Sequence, residues 1–137
     1  MANYKMEYQR YMDGHGIRYS VANDTIVSVT YTGNNCQSIS VIVAFDQSGN
    51  NLVEFGSYCI GTVNTDEKYA DAIVLCNQLN KQYRWVKFFV DDDRSIVAKA
   101  DAIVDFSSVG AECSEMVNRM VGIIDDVYPE FMRLMWA

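Results

Sequence analysis

Residues 65–104 read TDEKYADAIVLCNQLNKQYRWVKFFVDDDRSIVAKADAIV, and this stretch decides the fold. Its first half has a helical period. Tyr69, Ala72, Ile73, Cys76, Leu79 and Tyr83 form one apolar stripe, and Asp71, Gln78, Lys81 and Gln82 form a wet face. Asn64 or Thr65 can cap the start, because their side-chain oxygens accept from the orphan N–H groups of the first turn. Asn64 and Glu67 have the spacing of a capping box. Asp66 and Glu67 suit the positive end of the helix dipole.

The period then falls to that of a strand. Arg84 to Val90 is aromatic and β-branched, which suits a pleated surface. Asp91, Asp92 and Asp93 predict a turn, since aspartate bonds its own backbone and tolerates unusual dihedrals. Ser95 to Val104 predicts a second strand. Its polar residues alternate with Ile96, Ala98, Ala100 and Ala102, so the alanine row faces the helix and permits close approach. By the same phase Trp85 and Phe89 face outward or toward a partner.

Here the segment LCNQLNKQYRWVKFFVDDDRSIVAKADAIVDF resembles the central signature of the YbjN-domain family, small bacterial proteins proposed to regulate sensory transduction. Asn77, Asn80, Trp85, Phe88 and Asp91 to Asp93 occupy matching positions, and the ending YPEFMRLMWA is similar as well. The resemblance covers nearly the whole chain and contains no catalytic motif. It implies a fold like that of type III secretion chaperones. It also implies binding of extended or amphipathic partner segments through sheet edges and apolar grooves.

Composition sets bounds. The chain has 137 residues, 50% of them hydrophobic, with a single proline. That predicts one folded domain, 1–137, and argues against disorder. A net charge of -7 disfavours nucleic acid, whose phosphates need a basic face, and suits basic or apolar protein partners. MANYKMEYQR lacks the apolar run of a signal peptide, and no stretch reaches transmembrane length. The expectation is a cytoplasmic protein with no membrane partner. Cys36, Cys59, Cys76 and Cys113 have no metal-ligand spacing, which predicts free, mostly buried thiols in a reducing compartment.

The remaining elements follow in order. Asn3 can cap a helix over 3–13 with Tyr4, Tyr8, Tyr11 and Met12 as its stripe, closed by Gly14-His15-Gly16. Strands are predicted at 17–21, 25–32, 38–46 and 51–60, joined by short turns into an antiparallel meander. Gly56 suggests a bulge or a close approach. Ser107 or Ser108 can cap a last helix, which should kink or break at Pro129. Its apolar end, through Met132, Met135 and Trp136, must dock on its own domain or on another subunit.

The reading is α+β, in the order α-β-β-β-β-α-β-β-α. A mainly antiparallel sheet of five or six strands carries helices on one face, and the first helix covers an edge or reaches a neighbour. Function is read as a non-catalytic protein-binding module, chaperone-like or a regulatory adaptor, and a homodimer. Trp85, Phe89, Met132, Met135 and Trp136 are the candidate protein-binding or dimer surface. The alternative is a small-ligand sensor or enzyme whose polar pocket uses Asn77, Asn80, Tyr83 and His15. No catalytic, cofactor or metal residue is assigned. His15 has no partner placed to activate it. Asp125 and Asp126 point in different directions, and Arg94 would compete for the carboxylates of the aspartate turn.

Overall fold

The computed structural model describes residues 3–137, except the side chain of Cys59. In chain order the elements are α1 (Tyr4–Gly14), β1 (Ser20–Val21), β2 (Ile26–Tyr31), β3 (Ile39–Phe45) and β4 (Leu52–Thr62). They continue with α2 (Asp66–Gln82), β5 (Lys87–Val90), β6 (Ser95–Ile103) and α3 (Val109–Trp136). The sheet has six strands in the order β1-β2-β3-β4-β6-β5, and every neighbouring pair is antiparallel. The α+β class and the element order are those read from the sequence.

One core cluster holds the inward residues of the sheet and most of the apolar stripe of each helix, but Ile73, expected in the stripe of α2, is 45% exposed and lies outside it, as does Tyr11 of α1. Val41, Val43, Phe45, Phe55, Ile96, Ala98 and Ala100 face it, and the alanine row lies inward as the alternation predicted. Phe131 of α3 is fully buried, and its ring meets that of Phe88 at 5.9 Å. The first helix packs on α3, so tightly that a Cβ on Gly110 would stand 2.3 Å from the Cβ of Tyr11. Tyr8 also reaches the ring of Phe45, which places α1 on the same side of the sheet as α3.

Local chemistry sets the boundaries, choosing between the alternatives the sequence offered at some of them and departing from expectation at others. Thr65, not Asn64, caps α2 by accepting from the Lys68 N–H at 3.1 Å, so no capping box forms with Glu67. The bulge in β4 lies between Ser57 and Gly61. Of the two expectations at Gly56, the close approach is the one that forms: a Cβ there would stand 2.6 Å from the Tyr58 hydroxyl oxygen. Strand β5 begins only at Lys87. Before it, the Val86 N–H donates to the Arg84 carbonyl at 2.8 Å around Trp85, whose φ is 76°. That is a γ-turn, a left-handed conformation uncommon for a bulky residue.

Of the kink or break expected at Pro129, α3 shows no break and runs through it as one helix. Proline removes one helical donor and frees the carbonyl four residues earlier, that of Asp125. The side-chain amide of Asn35 donates to that carbonyl at 3.0 Å. An outside donor replaces the missing one, and the helix continues.

Candidate docking surface

Since every helix packs on one face of the sheet, the other face has no helical layer over it among the described residues, although Val97 there is buried. Strand alternation sends a second set of residues there. Leu52 and Ile103 are cross-strand partners on that face, 50% and 75% exposed. Ile26 and Ala44 are partners further across, half-buried. Glu54 pairs with both Ala44 and Asp101. Together these residues line an open groove of about 900 Å³ at the end of the sheet where β4 begins and β6 ends. Tyr58, 44% exposed, continues the apolar surface along β4.

The charges in this groove are one-sided. Asp46, Glu54 and Asp101 line it, and no cationic side chain does among the described residues. Lys99, just outside, bonds Glu54 at 2.7 Å, and the bond holds its ammonium above the usual lysine range.

The residues singled out in the sequence do not gather into one surface. Phe89 lies on the bare face of β5, half-buried and paired with buried Val97. Trp85 is 57% exposed but turns the other way, with the Arg119 guanidinium of α3 over its ring at 5.8 Å. Trp136, 83% exposed, stands 17 helical residues beyond Arg119, about 25 Å at the α-helical rise. Met132 and Met135 are half-buried. The Met135 sulfur fills the space over Gly61, and Lys68 donates to the Met135 carbonyl at 2.6 Å, which docks the end of α3 on its own chain.

The polar trio is also divided. Asn80 spends its amide on β5: it donates to the Phe88 carbonyl at 3.0 Å and accepts from the Phe88 N–H at 2.7 Å. These are the groups an incoming strand would need, so Asn80 blocks that sheet edge. Asn80 and Tyr83 border a shallow depression of about 400 Å³ with Trp85 and Lys87, but exposed Asn77 is not part of it. His15 is exposed, its ring stacked on Tyr11 at 4.0 Å and its Nδ1 2.8 Å from the Tyr11 carbonyl oxygen.

The aspartate turn forms by side-chain bonds to backbone. Asp91 accepts from the Asp92 N–H and Asp93 from the Ser95 N–H, which holds the Asp93 carboxyl below its usual value. Arg94 does not compete for these carboxylates. It pairs with Asp66 at 2.6 Å and lies over the Tyr69 ring. Cys36, Cys76 and Cys113 are free and buried, and burial pushes the Cys76 and Cys113 thiols up to about 11 and about 12. The expectation for Cys59 lies outside the described side chains. Among the described residues no cluster of three or more His, Cys, Asp or Glu is placed to hold a metal, and no helix is long and apolar enough to cross a membrane.

The profile of the YbjN family, described as "Putative bacterial sensory transduction regulator", matches residues 9–133. The chain belongs to that family. Its fold is similar to the crystal structure of YbjN from E. coli, with a TM-score of 0.62, 11% identity and 89% of each chain covered. It is also similar to a chain of the heterodimeric ExoU-SpcU complex from the type III secretion system of Pseudomonas aeruginosa. That match has a TM-score of 0.54 and 17% identity, covering 92% of this chain and 95% of that one. None of the curated proteins matches the sequence.

In this YbjN-family chain, sequence reasoning missed Asp125. Its carboxylate is buried on α3 and accepts from the backbone N–H groups of Asn34, Asn35 and Cys36 at 3.0, 2.8 and 2.9 Å. Those bonds, Cys36 and Asn35 foremost, hold its carboxyl below the usual range. Gly33 leaves room for it, since a Cβ there would stand 2.2 Å from the Oδ1 atom. The β2–β3 loop is thus clipped to α3. The available signal was an aspartate four residues before the only proline, together with a glycine–asparagine turn elsewhere.

Proposed function

We propose that this chain is a protein-binding module that works without catalysing a reaction, as an adaptor or chaperone-like protein. The observation that carries the reading is the bare sheet face, which exposes Leu52 and Ile103 side by side as cross-strand partners. Large apolar side chains gathered on an exposed surface mark interaction sites. Family membership and the secretion-complex fold support the same direction. The buried thiols are held protonated, and His15 rests on Tyr11, so neither supplies an activated nucleophile.

The proposal includes self-association into a homodimer. Ile73 and Val74 on α2 and Trp136 on α3 are exposed apolar groups outside the groove that could serve it. A second reading, a small-ligand sensor, draws on the groove's volume of about 900 Å³, which falls in the range of small-molecule sites.

The test is capture of partners by the tagged protein in parallel with a Leu52→Ser, Ile103→Ser double variant. The expected result is a protein recovered near stoichiometry with the wild type and lost with the variant. Identical recovery with both would remove the bare face from the account. A metabolite that raises the melting temperature of the wild type alone would favour the sensor reading instead.

A further inference from the structure

We infer that the groove on the bare sheet face receives an amphipathic helix of a partner protein, its apolar stripe flanked by lysine or arginine. This rests on the docking role proposed above and names the chemistry of what docks. The first support is charge. Asp46, Glu54 and Asp101 line the groove without a cation among them. Glu54 and Asp101 are direct cross-strand partners on one face, an arrangement of like charges that costs stability. Lys99 bonds Glu54 and also feels the charge of Asp101, but Asp101 itself makes no ion pair among the described residues. A cation arriving above Asp101 relieves that repulsion.

The second support is backbone accounting. The floor of the groove is β2, β3, β4 and β6, hydrogen-bonded to one another across it. An occupant lying over them cannot extend the sheet there and must arrive with its own N–H and C=O groups satisfied. A helix meets that condition and presents an apolar stripe to Leu52, Ile103 and Ile26. The other face is covered in the same way, with α3 lying on β3 and β4. A second copy of this chain does not fit. It carries a charge of -7, and its exposed Val74 shares a helix face with Glu67 and Asp71, against the single cation Lys81. Two acidic surfaces would meet.

The experiment uses three synthetic helices of about 18 residues, long enough to fold alone. They share a leucine stripe and differ in flanks of lysine, glutamate or glutamine. Each is dye-labelled and titrated with the full chain, with anisotropy as the readout. The lysine helix should bind at least about tenfold tighter than the glutamate helix and weaken with salt. Asp101→Lys should narrow or reverse that preference. Ile103→Asp adds negative charge yet should weaken the lysine helix, because it removes the apolar seat. Tighter binding to Ile103→Asp would mean charge attraction without a groove and would overturn the inference. Equal binding of all three helices would overturn the charge preference while leaving the docking face in place. Failure of every helix to bind, while capture by the wild type remains sensitive to Leu52→Ser and Ile103→Ser, would overturn the helical occupant but not the docking role. Melting curves establish that each variant is folded.

Discussion

The two faces of the sheet come from the same strands, residue by residue in alternation, yet they obey different rules. On the inner face Val53, Phe55, Ala98 and Ala100 are at most 3% exposed, and helices lie over them. On the outer face their neighbours Leu52, Glu54, Asp101 and Ile103 are all exposed. A solvated face would carry polar groups at every one of these positions, and a core face none. The outer face mixes large apolar groups with unbalanced acids. The difference teaches that half of this sheet is committed to the fold and the other half is available for work.

The largest expected effect breaks the inner face. Phe131→Ala should cost about 3–5 kcal/mol, the range for large-to-small changes in a packed core, read from denaturant midpoints. If the loss were below about 1 kcal/mol, the inner face would not be a close-packed core.

Asp125→Asn should come next, because three backbone donors lose their carboxylate. The melting temperature should fall at neutral pH. The native carboxyl is depressed, so its contribution is complete above the unfolded value of about pH 4 and is lost as pH falls through the depressed one. The gap between wild type and variant should therefore close on acidification. A gap independent of pH would show that the clip does not depend on charge.

A smaller effect is expected at the β5 edge. Asn80→Ala strips both Phe88 backbone groups of their partner and should cost about 1 kcal/mol. Exchange of the Phe88 amide should accelerate while the β3 amides stay protected. The smallest effect sharpens the comparison most. Leu52→Ser and Ile103→Ser should each stay within about 0.5 kcal/mol of wild type, since exposed positions contribute little to stability. Core-sized losses there would mean that the two faces do not differ in kind.

How much of this was legible in the sequence follows from the range of each interaction. Strand phase is local, so the alternation in Ser95 to Val104 placed the alanine row correctly. The turn at Asp91 to Asp93 is local too. Trp85 was assigned to the outward row because an aromatic beside Val86 looks like strand; its γ-turn shows only in the backbone dihedral. The pattern offers Asn80 as a polar-pocket residue, and its actual partner Phe88 lies just across the connection. Asp125 bonds a loop about 90 residues away, and nothing adjacent to it announces that contact. The groove combines residues from β2, β3, β4 and β6, each unexceptional alone, and only the order of the sheet brings them together.

The most direct test of the central claim is site-specific photo-crosslinking in living cells. One probe replaces Ile103 on the bare face and another replaces Ile73 on α2, both exposed apolar positions. The account predicts a discrete band from position 103 that contains a second protein, while position 73 gives at most the chain crosslinked to itself. A second-protein band of equal strength from both, or from position 73 alone, would contradict it.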